Sequence, residues 1–205
     1  MINEKTPWTN KKVTDFVPYL IPTPDYKAVA ETISKINIAI LYSGKVPLSF
    51  IGAGNMMIPE ARTDMLKQFY DKLENQIGVQ GEARGFMLDS DIFLHNEAQD
   101  IIEMMNYADA HNYNVVANYH ASDFTNLIFK DSNHKRISNP ELEALDEWAE
   151  VESAGLGFYY GRLPKGYVYR SSKDASEDIN FFRDNDLRPH LCKKIRLGHL
   201  KLFMF

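Results

Sequence analysis

Arg84-Gly85-Phe86-Met87-Leu88-Asp89-Ser90-Asp91-Ile92 is the stretch on which the reading of this chain turns. Phe86 and Leu88 alternate with their neighbours, and the apolar run ends in two aspartates separated by one serine. That pattern predicts a buried strand with Asp89 and Asp91 at its carboxyl end. Ligands of open α/β sheets sit beyond that end of the strands. Side chains two apart on an extended segment point the same way, so the carboxylates repel unless a cation or a proton comes between them. A hard divalent ion with oxygen ligands is the usual solution, and here it implies a metal that grips a diphosphate. Asp-x-Asp also recurs by chance in loops and caps, so its weight comes from the segments around it.

Upstream, residues 15–21 (DFVPYLI) read as a first strand, stopped by Pro22-Thr23-Pro24-Asp25. Val29, Ile33, Ile36 and Ile40 recur at helical spacing, and Gly44 ends that helix. Residues 46–51 (VPLSFI) predict a second strand opening into Gly52-Ala53-Gly54-Asn55, read as a turn because the remainder of a dinucleotide fingerprint is missing. Pro59 opens a helix with Met65, Leu66, Phe69 and Leu73 on its buried face. Arg62, near its start, is either a solvated cation or a contact for phosphate or base.

Downstream, a helix beginning at His95 or Asn96 carries Ile101, Ile102, Met105 and Ala108. Residues 114–119 (NVVANY) are the next strand, followed by a hairpin across 127–137. A helix from Asn139-Pro140 is expected to include Leu142, Leu145, Trp148 and Ala149. Residues 155–170 (GLGFYYGRLPKGYVYR) are expected to form a hairpin of mixed core and edge, with tyrosines that could stack on sugar faces. Ser176 is a natural N-cap for a helix whose first turn holds Glu177 and Asp178. Capping chemistry accounts for both acids, and a carboxylate there could equally act as general base on a hydroxyl. A last strand leads through Gly198 to His199, a histidine whose commonest role is structural hydrogen bonding.

Alternating strands and helices predict an α/β/α sandwich on a mainly parallel sheet, as one domain over residues 1–205 with a flexible segment at 1–14. At 44% hydrophobic and 25% charged, the 205 residues suit an ordinary globular core. A net charge of −5 argues against nucleic acid as the main partner, although Lys193-Lys194-Ile195-Arg196 is a local basic run. The single cysteine, Cys192, is expected to be a small buried hydrophobe. No run is long enough to span a bilayer and the start lacks a secretory apolar core, so a cytoplasmic location is expected.

Taken in order, IPTPDY (21–26), IPEARTDML (58–66), FMLDSDIF (86–93), AGLGFYYGR (154–162), SEDINFF (176–182) and LGHLK (197–201) resemble the nucleotide-sugar glycosyltransferases of the GT-A fold, close to the family 2 type. The resemblance implies a GT-A sandwich, a nucleoside-diphosphate sugar donor (UDP- or GDP-sugar) and an acceptor hydroxyl on a glycan, protein or lipid-linked molecule. By the same resemblance Thr23 and Asp25 would lie by the base and ribose, and Arg62 would touch the base or diphosphate. Asp89 would face the ribose or the metal-bound phosphates, Asp91 would bind Mn²⁺ or Mg²⁺, and His199 would complete that site, tilting preference toward manganese. Asp178 would be the base of an inverting displacement, supported by Glu177. Thr63 departs from the asparagine common in the family, and no basic-aromatic acceptor motif of polymerising members follows, so a processive polymerase is not expected. Two other classes remain: a nucleotidyltransferase acting on sugar phosphates, disfavoured because no basic residue precedes Lys27 in the first turn, and a binding or structural protein that keeps the fold without turnover.

Overall fold

In the computed structural model, residues 11–23, 30–53, 56–119, 128–130 and 135–199 are described. The chain runs β1 (Phe16–Thr23), α1 (Ala30–Tyr42), β2 (Val46–Ala53), α2 (Ile58–Asp71), β3 (Ala83–Leu88), β4 (Ile92–Leu94), α3 (Ala98–His111) and β5 (Asn114–Tyr119). It continues through β6 (Ile128–Phe129), α4 (Asn139–Ala144), β7 (Trp148–Glu150), β8 (Ser153–Ala154), β9 (Phe158–Leu163), α5 (Glu177–Asp184) and β10 (Pro189–His199).

The main sheet has the order β2-β1-β3-β9-β5-β10-β4, with β7 also on β10. β1 lies parallel to β2 and β3, and β5 parallel to β10. β9 runs against both β3 and β5, while β4 and β7 run against β10. Five of the eight strands, β1, β2, β3, β5 and β10, therefore point the same way, which makes the sheet mostly parallel in strand direction, and it carries helices on both faces. β1 shows why: Phe16 and Leu20 pack with Met65, Leu66 and Phe69 of α2, whereas Val17, Tyr19 and Ile21 pack with Ile36 and Ile40 of α1. A strand covered on both sides needs apolar residues at every position, and β1 is buried throughout. The second core also takes Ile101 and Met105 of α3, and the first takes Phe181 and Phe182 of α5.

Proline inside a central strand is unusual, because it offers no donor to the ladder. Pro18 sits in β1 between β2 and β3, and Gly85 makes this possible. A Cβ on Gly85 would fall 2.5 Å from the Pro18 carbonyl oxygen and 2.6 Å from its Cγ. Gly85 also lies opposite Gly161 across the β3–β9 pair.

Three expectations from sequence are corrected. β1 does not stop at Pro22: it continues to Thr23, which pairs with Ala53 on β2, past the Tyr19 and Leu20 positions where β1 pairs with β3. Trp148 and Ala149 are not helical. α4 ends at Ala144, its cap residue Leu145 is extended, and Trp148 pairs with Cys192 on β10. Tyr159 and Tyr160 are fully buried in the central strand β9 and present no face for stacking on a ligand. The expected turn at 52–55 begins only after β2 has taken up Gly52 and Ala53; Gly54 and Asn55, like Asp25 and residues 200–205, lie outside the described residues. Cys192 is buried as expected, and burial pushes its thiol up to about 11. No helix among the described residues is long and apolar enough to cross a membrane.

Tyr70 fastens α2 to the sheet. Its hydroxyl donates to the Leu163 carbonyl at 2.5 Å and accepts from the Ala83 N–H at 3.1 Å, joining the last residue of β9 to the first of β3. Burial pushes this phenol up to about 12. Tyr70→Phe keeps the ring and leaves a buried donor and a buried acceptor unmade. The expected loss is about 1–3 kcal/mol in urea denaturation; a change below a few tenths would show that these groups find other partners.

Candidate functional site

The acids of the Asp-x-Asp stretch stand where β3 ends. The Asp89 N–H donates to the Gly157 carbonyl at 3.0 Å, and its own carbonyl accepts from the Ile92 N–H at 3.3 Å. This tight turn holds Asp89, Ser90 and Asp91 between β3 and β4. β4 then pairs antiparallel with the end of β10, so Ile92 lies opposite His199. The backbone thus brings His199 beside the residue that follows Asp91; its side chain lies outside the described set.

α2 delivers Arg62 to the same place. Met57 is extended at the N-cap position, and Pro59 sits in the first turn, where its missing N–H has no intrahelical partner. Arg62 follows on the inward face and is only 2% exposed. Its Nη2 donates to Asp89 Oδ1 at 3.0 Å, and its Nη1 donates to Asp178 Oδ1 at 2.5 Å and to Glu177 Oε1 at 3.3 Å. Nε finds no partner among the described residues. Of the two sequence alternatives, solvation is therefore excluded: both terminal nitrogens of the guanidinium are taken by protein carboxylates.

Glu177 and Asp178 reach it from the first turn of α5. Ser176 is extended at the N-cap but makes no side-chain capping bond. The start of the helix is fixed instead by Asn180, a fully buried amide whose Nδ2 donates to the Arg170 carbonyl at 2.9 Å and the Ala175 carbonyl at 3.3 Å. The preceding loop is tied to α2: the Tyr169 N–H donates to Thr63 Oγ1 at 2.9 Å, and Thr63 Oγ1 donates to the Pro59 carbonyl at 2.8 Å. The buried Tyr169 hydroxyl lies 2.7 Å from Met87 Sδ, and its ring stacks on Phe181. Thr63, Tyr169 and Asn180 were not singled out as site residues by sequence. An asparagine inside an apolar helical turn was the available signal, since a buried amide demands partners.

Burial by itself would lower the Arg62 pKa, but Asp178, Asp89, Tyr169 and Glu177 together raise it, so the guanidinium stays charged. Asp89 moves the other way from a usual carboxylate. Loss of hydration raises its pKa, Asp178 and Asp91 add to the rise, and Arg62 only partly opposes it. Among the described residues, one cation faces at least three carboxylates, an excess of negative charge.

This donor chemistry suits a hard divalent cation. Arg62 takes Asp89 Oδ1 only, and Asp91 adds a second carboxylate one residue beyond Ser90. Among the described residues no three His, Cys, Asp or Glu side chains converge as a complete ligand set. The protein would thus supply few ligands, as magnesium-type sites do when phosphate and water fill the remainder. Thr23, buried at the carboxyl end of β1, lies on the same edge of the sheet, on the strand next to β3.

No protein-family model matches the sequence, and no curated protein matches it. Among solved structures, the crystal structure of A197 from STIV matches with a TM-score of 0.53 at 14% identity, covering 90% of this chain and 85% of that one. The structure of apo UDP-glucose pyrophosphorylase aligns with a TM-score of 0.43 at 10% identity, covering 89% of this chain and 74% of that one. The first likeness shows a shared fold.

Arg62→Met removes the charge and leaves the acids facing one another. The expected destabilisation at pH 7 is about 3–5 kcal/mol. Unpaired acids have raised pKa values in the folded state, so the stability they allow is present at low pH and lost as pH rises through those values. The deficit against the parent protein should therefore shrink toward pH 4 in paired denaturation curves. A deficit independent of pH would show that packing, not charge, is what Arg62 provides.

Proposed function

We propose that this protein is a metal-dependent glycosyltransferase that moves one sugar from a nucleoside-diphosphate sugar, UDP- or GDP-linked, to an acceptor hydroxyl. The reading is carried by one observation: Arg62 gathers Asp89 with Glu177 and Asp178, from 27, 115 and 116 residues away, at the carboxyl end of the sheet. Asp89 and Asp91 are the oxygen donors for Mn²⁺ or Mg²⁺, with His199 the further ligand that the resemblance adds. When bound, the ion supplies Lewis-acid stabilisation of the departing diphosphate.

The rest falls to the chain's own side chains. Arg62 holds Asp178 by Oδ1 and so orients Oδ2 toward an incoming hydroxyl. Glu177 is held between Arg62 and the Ser171 hydroxyl, which donates to Oε2 at 3.3 Å, and braces the first turn of α5. The acceptor oxygen bonds to the anomeric carbon on the face opposite the diphosphate, and its proton passes to Asp178. The bond from that carbon to the diphosphate oxygen breaks, and its electron pair leaves with the diphosphate. The anomeric configuration inverts. Thr23 and Asp25 are assigned to the base and ribose.

The closeness of the Arg62–Asp178 pair favours a second reading, in which the acids are a structural ion-pair network and the fold binds without turnover. Incubation with a panel of nucleotide sugars, with Mn²⁺ or with chelator, separates the two by nucleoside diphosphate release. Metal-dependent release is expected, lost in Asp91→Ala. Asp178→Asn should still bind donor and lose about 10²–10⁴-fold in transfer, the usual contribution of a positioned base. No release and no donor-induced thermal shift would establish the second reading. Pyrophosphate release from a nucleoside triphosphate and a sugar phosphate would instead identify a nucleotidyltransferase.

A further inference from the structure

α1 is apolar on both of its faces. Ile36, Ala39 and Ile40 enter the core. Ile38, Leu41 and Tyr42 fall on the opposite side at helical spacing and are 41%, 58% and 81% exposed. Residues 36–42 (INIAILY) carry no charge. A helix apolar all round is ordinarily a buried one. α1 flanks β2, the strand at one end of the main sheet. Ile51 of β2 stands opposite Ile21 in the register, so it lies on the α1 face of the sheet, where it is exposed. On the other face a groove of about 660 Å³ runs between β2 and the end of α2, and the two charges that line it, Asp71 and Lys72, cancel. β2 is also an unguarded edge. At the far end of the sheet β4 is three residues long, and α1 caps it: Thr32 Oγ1 donates to the Ile92 carbonyl at 2.8 Å and accepts from the Leu94 N–H at 3.2 Å, and Lys35 Nζ donates to the Leu94 carbonyl at 3.0 Å. β2 is eight residues long, and among the described residues no strand lies on its outer side. Pro47 withholds one donor near its start, but Leu48 to Ala53 include neither a proline nor a charge, the devices that keep an edge from pairing.

We propose that this side of the molecule binds a second copy of the same chain about a two-fold axis, with the two β2 strands paired antiparallel and the apolar strips of α1 and Ile51 buried across the axis. This contact is independent of the glycosyltransferase reading. Three features favour a second copy over another protein. An open strand edge meets its own match on every other copy, and a two-fold contact satisfies both edges at once and closes. Residues 36–42, residues 48–53 and the groove together carry no net charge with which to select a charged partner. The size is also right. Eight residues of strand give about 26 Å of length, and a wall of helix, sheet and helix is about 30 Å deep. That offers about 800 Å² per copy, which a standard stable interface needs.

Sedimentation velocity of the full chain over about 1–100 µM tests this. The expected species has twice the 23.6 kDa mass of one chain. Leu41→Glu with Tyr42→Glu, and separately Ile51→Lys, should each weaken dimerisation at least about tenfold, as loss of an interface anchor does. All three side chains are exposed, so unchanged far-ultraviolet circular dichroism serves as the folding control. Hydrogen exchange supplies a second readout: amides of residues 48–53 should exchange more slowly in the dimer than in the helix-face variant held as monomer. A parent chain that stays monomeric throughout the range would overturn the proposal, and protected β2 amides in that monomer would show that the chain covers its own edge. A dimer indifferent to both sets of substitutions would place the contact elsewhere and overturn it equally. A dimer whose β2 amides exchange as fast as in the monomer would remove the strand pairing. Species that grow beyond two copies with concentration would refute the two-fold closure.

Discussion

A buried guanidinium shared by three carboxylates is the constraint around which the site end of this molecule is built. Arg62 alone would be prohibitively costly to desolvate, and so would its acids without it. Each therefore requires the others to be in place. Because the partners lie on α2, at the end of β3 and at the start of α5, the pairing fixes three elements relative to one another. Thr63 and Tyr169 extend that fixation by backbone hydrogen bonding one residue along α2. The order of the site thus follows from electrostatic necessity as much as from core packing.

The parts of the fold legible in sequence were those whose periodicity is local. The inward faces of α1, α2 and α3 and the strands β2, β3 and β5 lay close to where alternation and helical spacing put them. β7 and β9 were misread for a common reason. Their conformation is decided by neighbours distant in sequence. Leu142, Leu145 and Trp148 fall at helical spacing, yet Trp148 pairs with Cys192, 44 positions on in the chain. Phe158, Tyr159 and Tyr160 look like a ligand-facing aromatic run until β3 and β5 are known to flank them, and then the rings have only core to enter. Gly161, opposite Gly85, keeps this insertion tight: a Cβ there would lie 2.5 Å from Asn114 Oδ1.

The site divides in the same way. Asp89 and Asp91 could be placed by eye because a strand end and a two-residue repeat are local facts. Glu177 and Asp178 could be placed on a helix start for similar reasons. Helical spacing sets Arg62 on the face of Met65, Leu66 and Phe69, but the acids that make a buried charge tolerable there are supplied 115 and 116 positions later. Asn180 was hidden for the opposite reason. It sits inside a segment already explained by capping, and its amide proves to hold the loop that brings Tyr169 and Ser171 to the site.

Charge balance then decides what such a cluster can be for. An arginine that merely stabilised the fold would be best served by one or two carboxylates, since further acids raise the energy of the folded state without adding bonds. Here Arg62 already has three, Asp91 adds a fourth charge that Asp89 feels, and the Asp89 pKa rises although a guanidinium lies 3.0 Å away. The surplus is a standing cost to the folded chain. It is relieved by a proton or by a cation, and only a cation draws an anionic ligand in after it. Asp89 lies at the open end of the sheet, and Asp178 of α5 also lines a cleft before that helix that Arg136, Lys173 and Asp174 share. Asp178 belongs to both places, held by Arg62 on one side and lining the cleft before α5 on the other.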